Sequence, residues 1–118
     1  NIEYLCFVSD KPPVLINADC LVLPSSKEGM PLNIIEAMSV GIPTVAYDID
    51  GVNEVVRDDI NGWLCAHGDV AVLESKMLLA VADKVAYRKK SMESLLLYEK
   101  YHTIRDMAES TIEAYKAD

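Results

Sequence analysis

Two glutamates eight positions apart, Glu28 and Glu36, bracket a stretch of chain with the means to hold a phosphorylated ligand. Between them, Gly29-Met30-Pro31-Leu32-Asn33 reads as a turn followed by the start of a helix. Proline suits a first helical position, where its missing N–H would have gone unpaired anyway, and Leu32 to Val40 contains no breaker, so a helix is expected from Pro31. The residue before it is Met30 rather than Ser, Thr, Asp or Asn, which leaves no side chain placed to cap the first amides. Unpaired amides at the positive end of a helix dipole form a cradle for phosphate, and Gly29 lets a ligand approach the backbone closely. Water or a neighbouring loop would satisfy the same amides, so the residues alone leave both readings open. Glu36 divides in the same way. At roughly 100° per residue Ile34, Ile35 and Met38 share one helix face, and Glu36 lies opposite with Asn33 near it, either contacting a ligand or simply solvated.

Such a loop needs a sheet to carry it. Cys20-Leu21-Val22-Leu23 is a continuous apolar run of the kind that fills a parallel strand buried on both faces, and Pro24 stops it. Upstream, Ile2 to Val8 reads as a first strand and Asp10 to Ala18 as a turn and short helix, with Pro12 and Pro13 in the early positions that tolerate them. Downstream, Gly41-Ile42-Pro43 ends the central helix, Thr44 to Tyr47 makes a third strand, and Asp58 to Gly62 turns into a short last strand, Trp63-Leu64-Cys65, with Trp63 in a packing role. Alternating strands and helices predict an α/β fold, a Rossmann-like parallel sheet of about four strands with flanking helices. Asp69 is placed to cap a helix over Val70 to Asp83, where Val72, Leu73, Lys76, Met77, Ala80 and Val81 keep the helical period. From Val85 to Ala117 the chain reads as helical in two segments that meet after Tyr101-His102, with Arg88-Lys89-Lys90 on a solvated face.

Taken together, Ala18 to Ser25, Glu28-Gly29-Met30-Pro31-Leu32, Glu36-Ala37-Met38, Gly41 to Ala46, Gly51, Glu54-Val55-Val56 and Asn61-Gly62 resemble the C-terminal half of the retaining GT-B glycosyltransferases related to glycogen and sucrose synthases, the large group 1 family. The likeness covers most of the chain from about Ile2 onward. It implies a nucleoside diphosphate sugar as the partner and transfer of its glycosyl unit to an acceptor with retention at the anomeric carbon. It makes Glu28 the catalytic-site residue that faces the donor sugar hydroxyls, lines the sugar with backbone at Gly29, Met30 and Pro31, gives the diphosphate to the amides of Leu32 and Asn33, and gives the ribose hydroxyls to Glu36. Gly51 would shape a turn near the donor, and Glu54 would orient that turn. No cofactor and no metal are implied. Asp48-Ile49-Asp50 has the form of a divalent-cation bridge to a diphosphate, but acidic residues are common in loops after strands, and the resembled enzymes do not rely on such a metal. One departure concerns the base, since the family commonly has glycine where Cys6 stands, close to the path of the nucleotide base.

Length and charge narrow the remaining classes. At 118 residues and 51% apolar, the chain suffices for one domain without a disulfide. Cys6, Cys20 and Cys65 are odd in number and each sits in an apolar run, so they read as small buried hydrophobes in a reducing, cytoplasmic setting, compatible with peripheral membrane attachment of a larger parent. No apolar run approaches the 18 or so residues of a membrane helix. A net charge of −8 and a pI near 4.6 disfavour nucleic acid as a partner. His67, alone in a loop, reads as a surface or hydrogen-bonded residue, and no Ser-His-Asp arrangement or metal-ligand cluster stands out. The abrupt start within a strand makes residues 1–118 the expected single-domain fragment of a GT-B donor-binding domain, with 84–118 as its C-terminal helices. Ile104, Met107, Ile112 and Tyr115 are then apolar contacts for a missing N-terminal domain. With the acceptor site and the basic pair of the resembled family upstream, the fragment is expected to be inactive by itself. An open sheet edge at Ile2–Val8 or Cys20–Leu23 would favour self-association. The rival reading is a non-catalytic interaction or regulatory module on the same fold.

Overall fold

A computed structural model describes residues 2–5, 9, 12–29 and 31–116. The elements are α1 (Pro12–Ile16), β1 (Leu21–Leu23), α2 (Leu32–Ser39), β2 (Thr44–Tyr47), β3 (Gly62–Cys65), α3 (Val70–Ala82), α4 (Lys84–Leu97), a π-helical turn (Tyr98–His102) and α5 (Ile104–Lys116). The three strands form a parallel sheet in the order β1-β2-β3, with Val22 opposite Val45 and Val45 opposite Trp63. Side chains of successive strand residues leave on opposite faces, so β2 feeds two cores. Ala46 meets Ile34, Ile35 and Met38 of α2 together with Val52, Val55 and Val56 from the loop after β2. Val45 and Tyr47 meet Trp63 and Cys65 of β3 and Leu73 and Ala80 of α3. Helices therefore cover both faces, and each fully buried Ile34, Met38 or Val45 contributes on the order of 2 kcal/mol relative to exposure.

Several expectations change in detail. The helix after the glycine turn begins at Leu32, and Pro31 serves as its cap residue with φ −80° and ψ 77°. Strand β1 is half-buried rather than enclosed, because among the described residues it has a strand neighbour on one side only. Ile2 to Leu5 form no strand and are exposed, while Cys6, Phe7 and Val8 lie outside the described residues. The sheet accordingly has three strands among the described residues rather than about four. Helix α3 stops at Ala82, and Asp83 both ends it and caps α4 by accepting from the Ala86 amide at 3.1 Å. Met77 and Val81, expected on the packed face of α3, are exposed. In α5, Ile112 is exposed, in keeping with an apolar contact whose partner lies elsewhere, while the side chains of Ile104, Met107 and Tyr115 lie outside the described residues.

The largest correction concerns Lys90. It is not on a solvated face with Arg88 and Lys89 but 4% exposed, while Met92 and Leu96 of the same helix are exposed. Its ammonium group lies 2.8 Å from the Asp59 carboxylate and 4.7 Å from the centre of the Trp63 ring, so the charge is met by an anion and an aromatic face. Ser91 and Ser94 complete the buried side of α4, donating to the carbonyl oxygens of Gly41 at 2.7 Å and Asn61 at 3.0 Å.

The hydrogen bond from Lys90, and then its charge, hold the Asp59 carboxyl below the usual carboxylate range. The folded state thus binds that proton less tightly than the unfolded chain, so this stabilisation is present above the ordinary carboxylate value near pH 4 and is lost as pH falls through the lowered one. Thermal melts across pH 2–7 are expected to show a shallower acid limb for Asp59→Asn than for the unaltered chain. Lys90→Ala, which removes a buried side chain, is expected to lower the unfolding free energy at pH 7 by about 2–3 kcal/mol in urea titrations.

Candidate functional site

Parallel α/β sheets bind ligands outside the carboxyl ends of their strands, and it is there that the chain brings the glutamate loop to a second loop. Strand β1 leads into residues 24–31, and strand β2 leads into residues 48–56. The two touch at Gly51, which has φ +88° and is buried. A Cβ at that position would stand 2.5 Å from the carbonyl oxygen of Glu28 and 2.8 Å from that of Gly29. Only glycine permits this backbone conformation and approach together.

On the other side of the turn the backbone is open. Gly29 is exposed, with nothing within 4 Å of where its Cβ would be. Pro31 is buried and provides no side-chain cap. Its carbonyl oxygen accepts from the amides of both Ile34, at 3.0 Å, and Ile35, at 3.3 Å, which closes the first turn. The Leu32 amide, two residues before that of Ile34, has no acceptor among the described residues. Leu32 and Asn33 are exposed at this helix start, and Met30 lies outside the described residues.

Glu28 is half-buried, and its carboxylate accepts a hydrogen bond from the Ser25 hydroxyl at 2.8 Å. Ser25 was not singled out by the sequence pattern, although its spacing of three from Glu28 across a turn is a signal for such a bond. Glu36 is half-buried one turn and more along α2, and its carbonyl oxygen accepts from Ser39 Oγ at 2.6 Å. Asn33 and Glu36 each have an interaction partner within the chain. Glu28, Gly29, Pro31, Leu32, Asn33 and Glu36 thus lie on one continuous segment from the end of β1 into α2, with Gly51 against its back.

The Asp48–Asp50 pair takes a structural role at its first member. Asp48 accepts from the Asn53 side-chain amide at 3.0 Å, and its own N–H donates to the Cys65 carbonyl at 2.7 Å. Among the described residues no three His, Cys, Asp or Glu side chains are grouped as metal ligands. His67 is exposed and meets Tyr47 edge-on, with ring centres 5.6 Å apart. Glu54 is exposed on the second loop. Among the described residues Cys20 and Cys65 are free, and burial pushes both thiols up. A second polar cluster was not legible in the sequence, because its members are distant in the chain. The Arg57 guanidinium lies 5.8 Å above the Tyr101 ring and Lys100 lies 5.1 Å from it, beside an open cleft of about 240 Å³ that shares no residue with the two loops.

A parallel sheet with helices on both faces and its open loops at the carboxyl edge is an α/β fold of the Rossmann-like class. The profile of the family described as Glycosyl transferases group 1 matches residues 1–95, and the chain belongs to that family. It is 38% identical over 77 residues to the UDP-Gal:alpha-D-GlcNAc-diphosphoundecaprenol alpha-1,3-galactosyltransferase of Escherichia coli, a match that covers 65% of this chain and 20% of that protein. Its fold is similar to that of HepE from Anabaena in complex with UDP-glucose, with a TM-score of 0.88 at 21% identity over 95% of this chain and 31% of that one. It is also similar to the C-terminal domain of the group 1 glycosyl transferase LpcC from Francisella tularensis, with a TM-score of 0.75 at 23% identity over 87% of this chain and 53% of that one. The chain spans about a fifth of the galactosyltransferase and under a third of HepE. No helix among the described residues is long and apolar enough to cross a membrane.

With Asp48 engaged by Asn53, Mn²⁺ is expected to find no site in this loop. Paramagnetic broadening of amide signals on Mn²⁺ titration should be no greater for Asp48 to Asn53 than for other exposed acidic positions, and selective broadening there at sub-millimolar Mn²⁺ would reinstate a metal reading of the Asp-x-Asp triplet.

Proposed function

We propose that residues 1–118 are the nucleotide-sugar-binding part of the C-terminal domain of a retaining GT-B hexosyltransferase, with 84–118 as its closing helices. The observation that carries this reading is the helix start at Leu32, uncapped by any side chain and facing out from the carboxyl edge of the sheet, in a chain of the glycosyltransferase family. The UDP-glucose complex of HepE, whose fold is alike, and the UDP-Gal donor named for the Escherichia coli relative support a nucleoside diphosphate sugar as ligand.

Under this reading the amides of Leu32 and Asn33 hold the diphosphate and stabilise the charge that develops on it as the glycosyl bond breaks. Backbone at Gly29, Met30 and Pro31 lines the sugar. Glu28, its carboxylate already oriented by Ser25, positions the sugar hydroxyls so that the anomeric carbon faces the acceptor. Glu36 accepts from the ribose hydroxyls. The diphosphate is held without a metal, by amides and by cations from the rest of the protein, which also supplies the acceptor side. That this chain covers about a fifth of the galactosyltransferase and under a third of HepE supports such a division, in which the chain turns over no donor alone.

Isotope-labelled titration with UDP and GDP is the direct test, with shifts expected around Gly29 to Asn33. Their absence there would favour a non-catalytic module. In the full-length protein Glu36→Ala is expected to weaken nucleotide binding by about 1.5–3 kcal/mol through lost charge-assisted hydrogen bonds, with little change in melting temperature. Unchanged affinity by calorimetry would remove the ribose role. Glu28→Gln is expected to lower kcat while leaving the affinity for free nucleotide nearly constant, and a parallel fall in both would move Glu28 from the sugar to the diphosphate.

A further inference from the structure

Gly51 belongs to the loop after β2, yet its nearest neighbours from elsewhere in the chain all belong to the turn after β1. A Cβ there would stand 2.5 Å from the Glu28 carbonyl oxygen, 2.8 Å from the Gly29 oxygen and 3.2 Å from the Glu28 carbonyl carbon. These are the carbonyl sides of two successive peptides. In a trans peptide the N–H points opposite to the C=O, so seating the Glu28 oxygen against Gly51 turns the Gly29 N–H away from the second loop. Successive peptides that present their carbonyls to one side form the concave amide arrangement that receives anions and polar oxygens on the other. Val52, the next residue, is fully buried in the core beside α2 and anchors the second loop at this contact.

We propose that Gly51 is a positioning residue for the donor site. Lacking a side chain, it lets the second loop press on the carbonyl face of the Glu28–Gly29 turn, and this contact sets the direction of the Gly29 amide and of the backbone that carries the Glu28 carboxylate. The inference rests on the proposed donor site at residues 28–36 and adds the element that holds it in shape from behind. Any side chain at position 51 must move two backbone oxygens, neither of which can rotate away as a flexible side chain would.

The test separates this contact from ordinary glycine strain. Gly51→Ala adds both a strained φ and the clash. Gly51→Asn keeps the clash but tolerates the left-handed backbone better. Gly68→Ala adds only the strain, because Gly68 has φ +83° and open space where its Cβ would stand. Calorimetric titration of the full-length proteins with UDP, GDP, UDP-glucose and GDP-mannose is expected to show at least tenfold weaker binding in both Gly51 variants, for whichever of these the unaltered protein binds. Gly68→Ala should stay within twofold, and Gly51→Asn should melt above Gly51→Ala without recovering affinity. The Gly29 amide resonance of the ligand-free protein should shift in both Gly51 variants and not in Gly68→Ala. Binding by Gly51→Asn equal to that of Gly68→Ala would overturn the inference alone. Failure of the unaltered protein to bind any of the four ligands would overturn the donor-site reading and the inference with it.

Discussion

Strand β2 is flanked by a strand on each side and covered by a helix layer on each face, and all four of its residues are buried. A strand in that position has no surface to offer water, so the loops that leave it have to satisfy their polar groups at once. At the carboxyl end this begins with the Asp48 N–H, which extends the sheet pairing to the Cys65 carbonyl. Three residues later the chain turns back under the β1 loop at Gly51, and Val52, Val55 and Val56 drop into the α2 core. The candidate site is therefore a by-product of how the central strand is closed over. The loop that supports it is anchored in the same core that holds α2.

The two ends of the sheet are treated in opposite ways. At the amino end α4 reaches in with polar groups, and each finds a partner: Ser91 on the Gly41 carbonyl, Ser94 on the Asn61 carbonyl, Lys90 on Asp59. The buried Asn61 side chain accepts from the Arg57 amide at 2.7 Å and donates to the Val55 carbonyl at 3.1 Å, tying the turn before β3 to itself. A network satisfied in this way is rigid and costly to break. At the carboxyl end the backbone at Gly29 and Leu32 stays open. Parallel α/β folds commonly divide their labour along the strand direction, with stability at one end and ligand chemistry at the other.

That division also explains what the sequence could and could not disclose. Apolar runs report burial directly, and the runs at Leu21–Leu23 and Thr44–Tyr47 were legible as parallel strands. The uncapped helix start was legible because proline and the absence of a capping side chain are local facts. The inward side of α4 was not, because Lys90 and Ser94 are buried by partners 31 and 33 positions away, and a helical period read from apolar residues points to Met92 and Leu96 instead. The close contact of Gly51 with Glu28 and Gly29 was equally hidden, since a glycine in a turn reads the same whether it faces solvent or another backbone. Ile2 to Leu5 carry the apolar pattern of a strand, but pattern specifies a tendency, and pairing needs a neighbour in register.

A chain of net charge −8 is an improbable place to look for a diphosphate site only if the whole charge is counted. At physiological ionic strength the field of exposed carboxylates is screened over about 8 Å, whereas amides at a helix start act at hydrogen-bond distance and carry no ionic atmosphere. The nearest fixed anion in the turn, the Glu28 carboxylate, is engaged by Ser25, which spreads its charge onto a hydroxyl instead of leaving it to face a second anion bare. Under the proposed donor reading, a ligand with a neutral sugar at one end and phosphates at the other would be sorted along this loop, with a carboxylate acceptor for hydroxyls at position 28 and donors for phosphate from the helix start at position 32. On that proposal the order follows from the direction of the chain, out of the sheet and into α2, which places Glu28 ahead of the helix dipole.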